Sequence, residues 1–210
     1  RNVLVLMLIV LFSCNSGKKN TKVSSPNSEI NVEFEVDDQG IPYYIVMYKN
    51  KIVIDTSYLG FEFTNAKELK SNFKVLQSFN ASYEKNWQMP WGEQLDVVNK
   101  YNQLEVKLQE TTAPNRKWNI VFKVYDDGIG FRHEFPEQVG WQEALIKEEH
   151  TQFNLTEDYK TFWIPGDWEI YEHTYKTTKL SEIDAIKYRN HPNLAQTYIP
   201  NNAVNTPVTL

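Results

Sequence analysis

The chain has 210 residues, a net charge of -5 and a single cysteine, Cys14. The acidic balance argues against a nucleic-acid partner, because phosphate binding needs a basic face. One cysteine removes disulfides, thiolate metal clusters and a cysteine nucleophile, so the folded part must rest on its hydrophobic core.

The first residues, RNVLVLMLIVLFS, form an apolar run behind Arg1 that stops at Cys14. Val3 to Phe12 falls short of the roughly 20 residues that span a bilayer and suits the h-region of an export signal. Leu11-Phe12-Ser13-Cys14 resembles a bacterial lipobox, with Phe12 bulkier than the usual residue there. Residues 1-14 are therefore expected to be a lipoprotein signal ending at the lipidated Cys14, and the membrane is expected to be met only through that lipid. The expected location is the periplasm or the outer membrane. Residues 15-29 are polar and aperiodic and read as a flexible linker. Position 1 is not Met and the chain stops at Val208-Thr209-Leu210 in an apolar, strand-like stretch, so a fragment of a longer protein is expected.

From residue 30 the pattern is antiparallel sheet. Ile30, Val32, Phe34 and Val36 alternate with polar residues, and Asp37 to Gly40 supplies a turn. Pro42 to Tyr48 makes the return strand, Lys49 to Lys51 the next turn, and Ile52 to Ile54 and Leu59 to Phe63 continue the meander. Strands are predicted again at Phe73 to Tyr83, Leu104 to Leu108 and Trp118 to Tyr125. Asp126-Asp127-Gly128 turns the chain into Gly130 to Phe135. Only Leu180 to Tyr188 has helical spacing, with Thr178 or Ser181 as N-cap. Many short strands with almost no helix predict an all-β fold, a large two-sheet sandwich or a barrel-like sheet, over residues 30-210.

No G-x-S-x-G elbow, phosphate loop or zinc-spaced His pair is present, and Asp126-Asp127-Gly128 lacks the later acids of a calcium loop. Arg132 and Glu134 share a strand face and read as an ion pair, with Asp127 close enough to join them. Two aromatic clusters stand out. Trp87 to Glu93 places two indoles around a proline in a loop context, facing either an open sheet edge or a ligand. Phe162 to Glu172, FWIPGDWEIYE, packs four rings with Asp167, Glu169 and Glu172 around a predicted Pro165-Gly166 turn. Rings stack on the apolar faces of sugars and carboxylates bind hard cations, but composition does not separate the three acids.

WQMPWGEQ (Trp87 to Gln94), KYNQL (Lys100 to Leu104), VYDDGIGFRHEFP (Val124 to Pro136), IKEEHTQF (Ile146 to Phe153), FWIPGDWEIYE and KLSEI (Lys179 to Ile183) occur in this order. Together they closely resemble the N-terminal domain of glycoside hydrolase family 97, which contains bacterial α-glucosidases and α-galactosidases. The resemblance implies a β-super-sandwich, truncated here, followed in whole members by a (β/α)8 barrel and a small β domain. The general acid and the base or nucleophile belong to that barrel, so the resemblance assigns no catalytic residue to this stretch. It does imply that a loop of the N-terminal domain gives a glutamate to a catalytic calcium ion, and the matching residue is Glu172. Tyr175 and Leu180 to Ile183 follow in the family's register and favour Glu172 over its rival Glu169. Trp91, Trp168 and Glu169 are the candidate carbohydrate contacts.

The expected function is that of the N-terminal domain of an exported, calcium-dependent, exo-acting α-glycosidase, with an α-linked oligosaccharide as substrate and its own barrel as partner. The alternative is a non-catalytic carbohydrate-binding surface lipoprotein in which Trp87, Trp91, Trp163 and Trp168 are stacking platforms.

Overall fold

The computed structural model describes residues 19–189 and 197–210; the apolar N-terminal run and the proposed lipidation site Cys14 lie outside them. The chain divides into two compact units after Asn154.

Period-two alternation builds the first unit. β1 (Lys22–Ser24), β2 (Ile30–Val36), β3 (Pro42–Tyr48), β4 (Lys51–Tyr58) and β5 (Phe61–Phe63) come first. β6 (Phe73–Gln88), β7 (Asp96–Glu110), β8 (Lys117–Val124), β9 (Ile129–Glu134), β10 (Ile146–Glu149) and β11 (Asn154–Leu155) follow. One sheet has the order β1-β2-β3-β4-β11, the other β6-β7-β8-β9, and β10 pairs with β5. Val32, Phe34, Tyr44 and Val46 on the first sheet share a core with Leu104, Val106, Leu108, Trp118, Ile120, Phe122 and Val124 on the second. Each large side chain buried there contributes roughly 1.5–3 kcal/mol relative to exposure. Tyr44 reaches its hydroxyl out of this core to the carbonyl of Gln152 at 2.8 Å, so that donor is satisfied.

The turns follow their chemistry. Lys49 and Asn50 both take positive φ between β3 and β4, the conformation that a two-residue hairpin needs. Gly40 has φ +75°, and a Cβ there would sit 2.6 Å from Asn72 Cα and Phe73 N. The backbone approaches that closely because Asn72 N–H donates to Gln39 O at 3.0 Å and Phe73 N–H to Gly40 O at 2.9 Å. The β2–β3 turn thereby ties one sheet to the first residue of the other.

β6 and β7 are longer than their alternation indicates. β8 accompanies β7 only from Asn102 to Gln109, while β6 and β7 stay paired from Tyr83↔Tyr101 to Gln88↔Asp96. The result is a two-stranded ribbon beyond the sheet. Trp87 and Gln88 are therefore strand residues, and only Met89 to Leu95 form the tip that the sequence suggested for the whole cluster.

Three expectations are corrected. The stretch 15-29, read as a flexible linker, contains β1, which pairs with β2 through Lys22↔Glu33, Val23↔Val32 and Ser24↔Asn31. A three-residue strand is too short to show periodicity, and here the sheet edge and the burial of Val23 hold it. The helix expected over Leu180 to Tyr188 is a single 3₁₀ turn, Leu180–Glu182. Asp158 takes the Ser181 N–H and hydroxyl at 2.9 Å each, and Asp184 accepts Lys187 N–H at 3.0 Å, so side chains hold this stretch locally. The Arg132–Glu134 pair is present at 2.6 Å, but Asp127 does not join it, and its neighbour Asp126 accepts the N–H of Asn27.

The second unit contains β12 (Lys160–Trp163) paired antiparallel with β13 (Lys176–Lys179). Pro165-Gly166, expected as a turn, is extended backbone. Pro165 bridges Val204, Gly166 N–H donates to Ala203 O at 2.8 Å, and Asp167 bridges Tyr198. A Cβ on Gly166 would meet Ile199 Cδ1 at 2.9 Å and Ala203 O at 3.0 Å, so the glycine permits this close packing rather than a reversal. Among the described residues no helix is long and apolar enough to cross a membrane.

Candidate functional site

The second unit separates the three acids of FWIPGDWEIYE. Trp163, Ile164, Pro165 and Gly166 are buried, and Trp163 donates its indole N–H to Thr178 Oγ1 at 3.0 Å. A fully buried indole cannot serve as a sugar platform, which removes Trp163 from the stacking set. The Asp167 side chain is 0% exposed. Its Oδ1 accepts the N–H groups of Glu169 at 3.1 Å and Ile170 at 3.3 Å and the hydroxyl of Thr197, and its Oδ2 lies 3.4 Å from His173 Nε2. Burial alone would raise this carboxyl, but those four hydrogen bonds outweigh it and hold Asp167 below the ordinary aspartate value. Asp167 is consequently a structural anion.

Around this anchor the chain forms an exposed loop. Trp168 is 71% exposed, and Glu169, Tyr171, Glu172 and Tyr175 are exposed with it. Tyr171 and Tyr175 hydrogen-bond through their hydroxyls at 2.9 Å. Ile170 is tied at its carbonyl by Asn205 Nδ2 at 3.4 Å, and His173 stacks on Tyr198 with centroids 5.2 Å apart. Among the described residues no hydrogen bond engages the carboxylate of Glu169 or Glu172. Both therefore present free oxygen donors, the hard ligands that calcium prefers. Calcium takes six to eight such oxygens, so one of these carboxylates fits as a contributor to a shell completed by other groups and not as a site by itself.

The sequence-nominated Trp91 lies in the first unit, at the tip of the β6–β7 ribbon, 81% exposed. Trp87 is also exposed and donates its indole N–H to Met89 Sδ at 3.4 Å. Trp168, Glu169 and Glu172 share one loop of the second unit.

Sequence reasoning missed a further cluster. Glu62, Glu148 and His150 have ligand atoms within 4.8 Å of one another, brought together by the Glu148↔Glu62 pairing of β10 with β5. Lys70 at 2.8 Å, Lys147 at 3.2 Å and His150 at 3.2 Å all point at Glu62 and pull its pKa down to about 2. Two ammonium groups already occupy that carboxylate, so the cluster is an ion-pair network. The spacing of Glu148 and His150, two apart on one strand, was the signal available in the sequence. Two grooves of the first unit, one lined by Phe135 and Trp141 and one by Phe131 and His133, contain none of the nominated residues.

The sequence model described as "Glycosyl-hydrolase 97 N-terminal" matches residues 23–210. A glycoside hydrolase family 97 enzyme from Pseudoalteromonas sp. strain K8, solved with panose and with acarbose, is 34% identical with a TM-score of 0.73. That match covers 78% of this chain and 25% of the enzyme. A β-arabinopyranosidase is 25% identical with a TM-score of 0.66, over 75% of this chain and 26% of that one. The chain thus spans about a quarter of the length of the enzymes it matches. The match over residues 23–210, beginning inside β1, and the sandwich strands together place the chain in glycoside hydrolase family 97, as sequence of that family's N-terminal domain.

Proposed function

We propose that this domain belongs to an exported, lipid-anchored, calcium-dependent, exo-acting glycoside hydrolase acting on α-linked glucosides or galactosides. Its own contribution is the loop from Asp167 to Tyr175. The observation that carries this reading is the exposed Glu172 carboxylate, free of hydrogen bonds among the described residues and set in a loop anchored from beneath. Trp168 and Glu169 offer a stacking face and a hydrogen-bond acceptor to a sugar, and Trp91, exposed on the ribbon of the first unit, is a carbohydrate contact proposed on its own. When bound, calcium would supply Lewis-acid stabilisation of charge at the glycosidic bond. The residues of this chain hold one carboxylate in place for it and flank the sugar. Protonation of the leaving oxygen and attack on the anomeric carbon require a carboxyl pair at the separation that sets retention or inversion, and that pair is assigned to the catalytic barrel.

The relatives support a sugar substrate in two ways. One was solved with panose and acarbose, and the other acts as a β-arabinopyranosidase, which extends the substrate panel to arabinopyranosides. The alternative, a carbohydrate-binding lipoprotein without catalysis, keeps Trp87, Trp91 and Trp168 as exposed platforms but loses Trp163 to the interior.

The test is hydrolysis of aryl α-glucoside, α-galactoside and β-arabinopyranoside by the full-length protein, with calcium and after chelation. Turnover of one of them that falls on chelation and in Glu172→Gln supports the proposal. Chelator-insensitive turnover, or full activity in Glu172→Gln, removes the metal role.

A further inference from the structure

Among the described residues no strand pairing holds the backbone at Glu172. Between the Asp167 bridge to Tyr198 and the start of β13 at Lys176, the loop has no ladder partner. A buried carboxylate anchors it, beside the Trp168 N–H bond to Thr197 O at 3.0 Å and the Asn205 Nδ2 bond to Ile170 O at 3.4 Å. Asp167 accepts the N–H groups of Glu169 and Ile170 through Oδ1 and faces His173 Nε2 through Oδ2, so residues on both sides of Glu172 are tied to the same side chain. Thr197 and Asn205 complete the anchor from a distant part of the chain, through Thr197 Oγ1 on Asp167 Oδ1 and Asn205 Oδ1 on Asp167 N–H.

We propose that Asp167 is a positioning residue that presets the Glu172 loop for its cation. The inference rests on the reading of Glu172 as a calcium ligand. Asp167 is fully buried and its oxygens are taken by four donors, so it touches neither cation nor sugar and acts only through the loop. Buried carboxylates without such donors are costly, and here three of the four donors, the N–H groups of Glu169 and Ile170 and the His173 ring, belong to the loop, so satisfying the anion also orders the loop. Without the tether, the backbone around Glu172 would have to be ordered when the cation binds, and that conformational entropy would be subtracted from affinity. Hydrogen-bonded supports behind metal ligands typically set about 10- to 100-fold in affinity.

The experiment titrates calcium chloride into chelator-stripped full-length protein by calorimetry, comparing wild type, Asp167→Ala, Asp167→Asn and Glu172→Gln. Thermal unfolding of the stripped proteins reports folding. Asp167→Ala is expected to weaken calcium binding by about ten-fold or more, with kcat recovered at saturating calcium. Asp167→Asn, which retains an oxygen for the two backbone donors, is expected to regain most of that loss. A folded Asp167→Ala with wild-type calcium affinity, beside a Glu172→Gln that has lost it, overturns this inference and leaves the Glu172 reading standing. Wild-type affinity in Glu172→Gln overturns that reading, and the inference with it. If Asp167→Ala does not fold, Thr197→Val decides: it removes one donor only, so a weaker calcium affinity supports the tether and an unchanged one refutes it.

Discussion

Arg116 grips Glu110 at two points inside the first unit, Nε to Oε2 at 2.9 Å and a terminal nitrogen to Oε1 at 2.7 Å, with both side chains almost wholly buried. The other guanidinium contacts go to the carbonyls of Lys67 and Glu68, and the plane lies over Trp141 with 5.2 Å to the ring centroid. The fork therefore connects the β7–β8 turn to the segment after β5. Glu110→Ala leaves a buried cation without its partner and is expected to destabilise the domain by about 3–5 kcal/mol in urea unfolding. Arg116→Lys should recover little, because a lysine cannot reproduce the fork. A loss below about 1 kcal/mol in Glu110→Ala would show that the pair is solvated.

His133 provides a pH prediction. Its ring is packed edge-on to Phe61 at 4.9 Å and against Trp118 at 5.4 Å, and its buried Nδ1 has no hydrogen-bond partner. Burial lowers its pKa from the usual 6.5, and the opposing pull of Glu149, 3.5 Å away, does not cancel this. Because the folded state resists the proton more than the unfolded chain does, the stabilising contribution is complete above pH 6.5 and declines as the pH falls below it. Urea midpoints should drop between pH 7.5 and 5.5 in the wild type, and by less in His133→Phe. Equal pH slopes would contradict the assignment.

Gly40→Ala is expected to cost about 1–3 kcal/mol, through strain at positive φ and a Cβ driven into the Asn72 backbone. Gly128→Ala, where nothing lies within 4 Å, is the control and should stay within about 0.5 kcal/mol. Comparable losses at both positions in thermal unfolding would mean that the β2–β3 turn does not bear on β6.

Trp168 gives the sugar-contact prediction. In the full-length protein Trp168→Ala should raise KM about five- to ten-fold with kcat little changed, since one stacking face is worth roughly 1–1.5 kcal/mol. Trp91→Ala should act in the same direction. An unchanged KM for the preferred substrate in Trp168→Ala would take that ring out of the sugar site.

Much of the first unit was legible because alternation and turn chemistry are local. Ile30 to Val36, Asp37 to Gly40 and Lys49-Asn50 each specify their conformation within a few residues. Where partners lie far away, local reading failed. β1 exists because β2 offers it an edge, and Leu180 to Tyr188 holds only a single 3₁₀ turn, at Leu180–Glu182, with Ser181 bound by the distant Asp158. The ribbon beyond β8 was invisible too, since strand length past a neighbour is a property of the pair and not of either sequence.

The residue order alone determined the all-β character, the strand register set by inward-facing apolar positions, and the six motifs that carry the family resemblance. It did not rank Asp167, Glu169 and Glu172 by environment, because three carboxylates within six positions have the same chemistry until something covers one of them. Tertiary structure decided that. The segment from Thr197 to Asn205 packs beside Gly166 and Asp167, removes one acid from water and leaves the other two facing it. Burial depends on which distant backbone arrives, and only the folded chain brings it there.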